Sequence, residues 1–486
     1  MKSKQKGRKR ATGSKRTRSS KATTSTTASS SKWIRIESTF AIPPYVKDAV
    51  QKLNEAGFVA YLVGGSVRDF LLKREPKDHD LATDAHPDRV CELFPNAITV
   101  GKAFGVIKIP VVGAPGDVLE ITTFREDQEY KDHRHPQSVV FSNPLEDARR
   151  RDFTVNALFY DPKTMRVLDS VDGIEDLRAR CIRAIGVPEV RFEEDALRLM
   201  RAIRFTISLR FDLELKTLEA LKKKARLIKQ VSSERIRGEF NLILADPMAH
   251  VGLRLLSETG ILAHVFPEFE ALKGIPQPSV QDPKRDVWQS TLKMIELLNR
   301  HYPIKPGAKA QEGYALRWAV LLHDSGKPAA GRRNQLKNYN GHEADGMKIA
   351  ESVCRRFKMS LVDIEAVCWM ISEHLKFKEV FHMREATLLR WIQEPLFPRL
   401  LALHHVDALA SDGNLAYFEF CQQRLQEVEN VASPVQLVDG KDLIQLGLEP
   451  GPGFAKILKT IEDLALEKKI SSKQEALEYI IQKLVK

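Results

Sequence analysis

An α/β head followed by a long helical body is the architecture this sequence predicts, and three observations predict it. Between about residues 57 and 161, short apolar runs of strand character alternate with turns. From about residue 190 onward the apolar residues recur with the 3.6-residue period of helices. At 486 residues the chain is also too long for a single hydrophobic core, so two to four domains are expected.

Taken in order, residues 1–32 carry eleven Lys or Arg, no Asp or Glu, and no Leu, Ile, Val or Phe. Such a segment cannot bury a core and is expected to be a disordered basic tail, able to add sequence-independent affinity for a nucleic acid. The alternative is a solvated extension without a role. The remaining 65 Lys and Arg face all 64 Asp and Glu, so the rest of the chain is nearly neutral. The runs "FVAYLVGG", "HDLAT", "FGVIKIPVV", "DVLEITTF", "QSVVF" and "TVNALFYD" read as strands, and "KIPVVGAPGDVLEI" reads as a hairpin around a Gly- and Pro-rich loop. "EEDALRLMRAIRF", "TLEALKKKARLI" and "EALEYIIQKLV" read as helices. No repeat of fixed period is visible.

Hydrophobic residues make up 43% of the chain, as in soluble globular proteins, and no run has the length of a membrane span or of a secretory leader. The five cysteines are scattered without CxxC spacing, which argues against a disulfide framework or zinc knuckle and suits a reducing cytoplasm. A cytoplasmic protein with no membrane partner is expected.

Chemistry enters at "LVGGSVRDFLLKREPKDHDLAT" (62–83). On a strand, Asp78 and Asp80 would project from one face, about 6–7 Å apart along the chain. That arrangement suits a pair of divalent cations, about 3.5–4 Å apart, bridging the oxygens of a phosphoryl displacement. The Gly64-Gly65 turn opens a helix over "SVRDFLL", whose N–H groups can approach a triphosphate. Oxygen ligands without a Cys/His cage point to Mg²⁺. The alternative is an ordinary acidic pair on the surface.

The same stretch closely resembles the first signature of the class II tRNA nucleotidyltransferases, the CCA-adding enzymes and their bacterial poly(A) polymerase relatives. The likeness continues in order through "RRRDFTVNALFYD" (149–161), "DSVDGIEDLRARCIRAIG" (169–186), "RFEEDALRLMRAIRF" (191–205) and "ERIRGEFNLIL" (234–244). It implies an α+β fold: a polymerase-β-like nucleotidyltransferase head over residues 33–165, then an all-helical neck (166–270), an HD-like body (271–412) and a tail (413–486). It implies that Asp78 and Asp80 bind catalytic Mg²⁺, with Glu120 of "DVLEITTF" as a third carboxylate facing them. A half-exposed strand glutamate is the other reading of Glu120. Gly64, Gly65 and Arg68 fall in the nucleotide-binding part of the first signature.

In "RRRDF", Arg150 and Arg151 can match phosphate oxygens bidentately, Asp152 can accept a hydrogen bond from a ribose hydroxyl, and Asn156 can bridge nearby. In "EEDALRLM", Asp195 and Arg198 stand at i and i+3 of an expected helix, as an intrahelical ion pair or as a reader of the base edge. Cytosine and adenine each present an amine donor beside a ring-nitrogen acceptor, and a carboxylate beside a guanidinium complements both. Glu194, at i−4 from Arg198, would fix the guanidinium. The resemblance implies a protein-based template for CTP and ATP of this kind, acting on the 3′ end of tRNA. Within the family the resemblance implies, the intact loop "FREDQEYKDHRHPQSVVF" (124–141), with Tyr130, Asp132 and Arg134 in the pattern of full CCA-adding members, sets the chain apart from CC-adding enzymes, and the stretch "VGKAFGVIKI" favours CCA addition over poly(A) synthesis; an A-adding enzyme is harder to separate.

The body carries a second set: His323 and Asp324 in "LLHDSGKP", His342, His374 and Asp407. These resemble an HD-type metal phosphohydrolase domain, which gathers His and Asp around a transition metal. Ser290 stands in "RDVWQSTLKM" where that pattern has a leading His. Either a nucleotide phosphohydrolase or a tRNA-binding scaffold follows.

Overall fold

The computed structural model describes residues 32–36, 40–111, 118–130, 136–278, 282–304, 310–429, 437–467 and 469–484. In chain order the head contributes β1 (Lys32–Arg35), β2 (Ala60–Val63), β3 (Asp80–Thr83), β4 (Val106–Pro110), β5 (Val118–Thr123), β6 (Arg125–Tyr130), β7 (Pro136–Phe141), β8 (Phe159–Asp161) and β9 (Arg166–Asp169). Seven strands form one mixed sheet in the order β1-β9-β8-β2-β3-β5-β4. Only β3 and β5 run parallel within it; β4 and β5 make the expected hairpin. β6 and β7 form a separate two-stranded ribbon, in which β7 contains the expected strand "QSVVF" and β6 comes from the part of the stretch read as a loop.

Several boundaries shift. The basic segment ends one residue early, because Lys32 already pairs with Asp169 at the sheet edge. The head sheet takes in β9, which lies past the expected boundary at residue 165. "TVNALFYD" is strand only from Phe159; Thr154–Asn156 is a 3₁₀ turn. Residues 1–31, Asp132 and Arg134 lie outside the described residues.

The sheet has two unlike faces because successive side chains alternate. Leu62, Leu81, Ile107 and Ile121 join a core with Val46, Ala49, Val50 and Leu53 of helix Pro44–Glu55. Val63, Ala82, Phe159 and Leu168 form a smaller cluster on the other face. Asp80, two residues before Ala82, shares that second face.

From the neck onward the structure is almost entirely helical. The main core runs without a break from Phe40 in the head to Cys421 in the first helix of the tail, while the rest of the tail has its own cluster around Val438, Leu443 and Ile461. Trp318 of the body joins neck to body: it stacks obliquely on Phe240 at 5.3 Å and donates its indole N–H to Asn241 Oδ1 at 2.8 Å. Among the described residues no helix is long and apolar enough to cross a membrane.

Helix Gly173–Ala179 supports the loop that ends in the site. Asp176 accepts the Thr154 hydroxyl at 2.6 Å, and a Cβ at Gly173 would lie 2.3 Å from the Thr154 carbonyl oxygen. Gly173→Ala is therefore expected to lower stability by roughly 2–3 kcal/mol through overpacking. Chemical denaturation measures this, and an unchanged midpoint would refute the close packing.

Candidate active site

The metal-ligand candidates converge where β3 begins. Asp80 pairs in register with Glu120 of β5 on one side and Val63 of β2 on the other. Asp78 reaches the same cleft from the extended segment just before β3 rather than from the strand itself. Burial pushes the Asp80 carboxyl up to about 6, helped by the charges of Glu120 and, less, Asp78, against the pull of Arg151. Glu120 is partly met by Lys108 Nζ at 3.4 Å. An all-oxygen set of crowded carboxylates fits a hard divalent cation such as Mg²⁺.

Around them lies an open cleft of about 530 Å³, lined by the Gly64-Gly65 turn, Arg68, Arg150, Arg151, Asp152, Asn156, Asp195 and Arg198. Gly64 takes φ +70°, which a glycine adopts without strain, and starts helix Gly65–Leu71. Arg68 donates to Asn156 Oδ1 at 2.7 Å and pairs with Asp69. Arg150 and Arg151 both pair with Asp147, which is fully buried at the end of helix Pro144–Arg149. Sequence reasoning missed Asp147, although its i−3 and i−4 spacing from the two arginines was available.

Asp152 is more committed than expected. Its Oδ1 accepts from Phe153 N and Asn156 Nδ2, and its Oδ2 accepts twice from Arg201, at 2.8 and 2.6 Å. Burial raises its carboxyl, but the Arg201 charge and the Asn156 bond outweigh that and hold it down at about 2. A ribose hydroxyl would have to share with Arg201. Arg201 was also missed; it stands one turn beyond Arg198 and lines the cleft with Phe205. The guanidinium carbons of Arg68, Arg201 and Arg204 lie 5.4, 5.3 and 4.1 Å from the Phe205 ring centre, a cation–π platform.

The expected single helix through Asp195 and Arg198 is broken. Helix Pro188–Glu194 ends at Asp195, whose φ −141° and ψ 102° are extended, and helix Arg198–Leu209 begins three residues later. Asp195 Oδ1 accepts the Leu197 N–H at 3.1 Å, a local turn that competes with helix. Asp195 and Arg198 do not pair with each other. Arg198 donates to Glu194 at 2.7 Å, as expected, and to the carbonyls of Arg191 and Arg150 at 3.0 and 2.9 Å. Asp195 is held by Arg235 at 2.8 Å, forty residues away and unforeseen. Both side chains line the cleft.

In the body, His323, Asp324, His342, His374 and Asp407 all line a second cavity of about 660 Å³. Asp324, His342 and His374 bring one donor atom each within 4.8 Å of one another. Asp407 lies outside that tight group. Burial lowers His323, but Asp324 beside it outweighs this and raises its imidazole. Burial pulls His374 down to about 4, helped by the charge of His323.

A mixed sheet with carboxylates at the start of a central strand, a glycine turn and an arginine-lined cleft define a nucleotidyltransferase. Residues 60–183 match the poly A polymerase head domain, residues 210–273 the probable RNA and SrmB-binding site of polymerase A, and residues 290–412 the HD domain. The chain is 31% identical to a CCA-adding enzyme of Lactococcus lactis subsp. cremoris over 438 residues, 90% of this chain and 95% of that one. It is 45% identical over 229 residues to the CCA-adding enzyme of Lactobacillus helveticus, spanning about half of each, 47% and 56%. The crystal structure of the Bacillus stearothermophilus CCA-adding enzyme in complex with CTP superposes with a TM-score of 0.68 at 25% identity, covering 91% of this chain and 98% of that one. The chain belongs to the CCA-adding enzyme family of tRNA nucleotidyltransferases.

The Asp80 carboxyl binds its proton more tightly folded, near 6, than unfolded, near 3.8. Above pH 6 the ionised group opposes folding; the penalty fades as pH falls towards 3.8. In metal-free protein at pH 7.5, Asp80→Asn is expected to raise stability by about 1–3 kcal/mol, with the gain gone near pH 4. Melting in a chelator measures it, and a lower midpoint at pH 7.5 would contradict carboxylate crowding.

Proposed function

We propose that this protein completes the 3′ end of tRNA by adding C and A from CTP and ATP, releasing pyrophosphate without a nucleic-acid template. The observation that carries the reading is one cleft lined both by the carboxylates Asp78 and Asp80 and by the pair Asp195 and Arg198. Asp78, Asp80 and Glu120 would hold Mg²⁺, which when bound neutralises phosphate charge and activates the attacking hydroxyl. The RNA 3′-hydroxyl attacks the α-phosphate in line and pyrophosphate leaves. Arg150 and Arg151, prepositioned by Asp147, hold the triphosphate, and the Gly64-Gly65 turn lets backbone N–H groups approach it. Arg68 steadies Asn156, and through it Asp152, beside the sugar.

Base choice follows from donors left over. Arg198 spends three of its five N–H groups on Glu194 and two carbonyls, leaving Nε–H and one Nη2–H for the ring acceptor of C or A. Each Asp195 oxygen accepts one hydrogen bond and keeps a lone pair for the exocyclic amine. Uracil and guanine present the opposite order and would leave charged groups unpaired.

The test is single-nucleotide incorporation with each NTP on tRNA lacking CCA. A buried polar site can reject the wrong partner by roughly 10⁴-fold, so Arg198→Ala and Asp195→Ala are expected to admit UTP or GTP visibly. Retained preference for CTP and ATP in both variants would overturn the protein template. Incorporation of ATP alone, and only on tRNA already ending in CC, would make the enzyme A-adding; long A tracts would make it a poly(A) polymerase.

The family match over the neck supports an RNA partner, and the basic arm is proposed to reach its acceptor end. Lys32 pairs with Asp169 at the end of β9; on the next strand Leu158 O accepts the N–H of Gly64 at 3.2 Å. The arm therefore leaves the sheet at the end that carries the nucleotide turn, three strand spacings or about 14 Å away. Residues 1–31 hold ten Lys or Arg. Deleting them is expected to raise KM for tRNA and flatten its salt dependence, with kcat nearly unchanged. An unchanged salt slope would make the arm a solvated extension.

A further inference from the structure

We propose that Phe205 is a positioning residue for the sugar of the incoming nucleotide. Its ring closes a circle of contacts, from Phe205 through Arg68, Asn156, Asp152 and Arg201 back to Phe205, that sets Asp152 and Arg201 together to read a ribose hydroxyl. The inference rests on the reading of Asp152 as the group beside the sugar and adds the residue that holds it there.

Arg198, Arg201 and Phe205 stand at i, i+3 and i+7 of helix Arg198–Leu209, a spacing that puts them on one face, and all three line the cleft. Phe205 is only 6% exposed, because guanidinium groups cover it. Arg68 and Arg201 lie against its ring, their guanidinium carbons 5.4 and 5.3 Å from its centre. From there each reaches the same carboxylate. Arg68 donates to Asn156 Oδ1 at 2.7 Å, and Asn156 Nδ2 donates to Asp152 Oδ1 at 3.1 Å. Arg201 donates to Asp152 Oδ2 from Nε at 2.8 Å and from Nη2 at 2.6 Å. Phe153 supplies a third path: its backbone N–H donates to Asp152 Oδ1 at 2.8 Å, and its ring meets Phe205 edge to face at 5.7 Å. Each group that holds Asp152 thus leads back to one aromatic ring.

The arrangement decides how a hydroxyl can enter. Asp152 accepts two hydrogen bonds on each oxygen, which fills a carboxylate. The Arg201 pair is the one that can open: a hydroxyl donates to Oδ2 and accepts the released guanidinium N–H, so both of its roles are met. A sugar without that hydroxyl leaves the pair shut. Opening requires that Arg201 stay in place while one bond is exchanged. The Phe205 ring holds it on one side. Glu239 holds it on the other, with Oε1 3.6 Å from Arg201 Nη1, and is itself fixed by Arg204 Nε at 2.6 Å. The Arg204 guanidinium lies over the same ring at 4.1 Å. Base choice is built separately, since Arg198 and Asp195 are held by Glu194 and Arg235.

The test is single-nucleotide incorporation by the full-length protein on tRNA lacking CCA, with kcat and KM measured for CTP, its 2′-deoxy and 3′-deoxy analogues, and UTP. The parent is expected to reject at least one deoxy analogue, which identifies the hydroxyl. Phe205→Leu keeps an apolar side chain and removes the ring. It should lower that sugar preference roughly tenfold, the worth of one charge-assisted hydrogen bond, while the preference for CTP over UTP is kept. Phe205→Tyr keeps the ring and should keep the sugar preference. Arg201→Lys should lose it, because an ammonium does not replace the planar fork. An unchanged sugar preference in Phe205→Leu, or sugar and base preference falling together, would overturn the proposal. If the parent has no sugar preference, or Asp152→Ala retains it, the reading of Asp152 fails and the proposal with it. If Asp152→Ala loses the preference and Phe205→Leu does not, the part assigned to the ring fails alone. Should circular dichroism show Phe205→Leu misfolded, Arg201→Lys decides, and a retained sugar preference there would refute the circle.

Discussion

Crowded negative charge at the start of β3 is the constraint around which the head is arranged. The parallel register sets Glu120 beside Asp80, and the glycine turn at the end of β2 brings the nucleotide-binding backbone alongside. Among the described residues nothing fully neutralises this cluster: Lys108 reaches Glu120, and Arg151 acts on Asp80 only from a distance. The head stores an unfavourable charge arrangement at a sheet position that packing elsewhere in the fold holds fixed. A divalent cation there would relieve it.

The arginines obey a complementary logic. Arg68 has Asp69, Arg150 and Arg151 share Asp147, Arg198 has Glu194, and Arg201 lies between Asp152 and Glu239. Each guanidinium is held in one orientation by a carboxylate behind it, and its remaining N–H groups project into the cleft. Rigid donors aimed at developing charge lower a barrier because little reorganises when the phosphate moves. The same pairing keeps the cleft from being purely cationic: Asp147 lies against Arg150 and Arg151, and Asp152 against Arg201.

How much of this was legible follows from sequence distance. Gly64-Gly65, Asp78, Asp80, Arg150 to Asp152 of the "RRRDF" run, and Asp195 with Arg198 are each local, and they line the cleft together. Glu120 was legible only as a strand residue that might face them, and the β3–β5 register supplies the contact. Long-range partners were invisible: Arg235 holds Asp195 across forty residues, and Glu239 pairs with Arg204 from a helix whose pattern reads simply as amphipathic. The break at Asp195 escaped because "EEDALRLMRAIRF" keeps apolar periodicity through the turn, while a single Asp hydrogen bond decides it. In the β6–β7 ribbon only the second strand, "QSVVF", was legible; "REDQEY" is polar throughout, so pattern alone reads it as loop.

The two cavities differ in the donor atoms they present. At the head every candidate ligand is a carboxylate oxygen, beside guanidinium groups that suit phosphate; such a site prefers a hard ion that arrives with a nucleotide. In the body two imidazoles, fixed by backbone carbonyls, present nitrogen and disfavour that same ion. The continuous core from Phe40 to Cys421 makes the two sites parts of one packed object even so. The neck helices that carry Arg198 and Arg235 are held to the body at the junction where Trp318, Phe240 and Phe357 pack together, with the Trp318 indole bonded to Asn241.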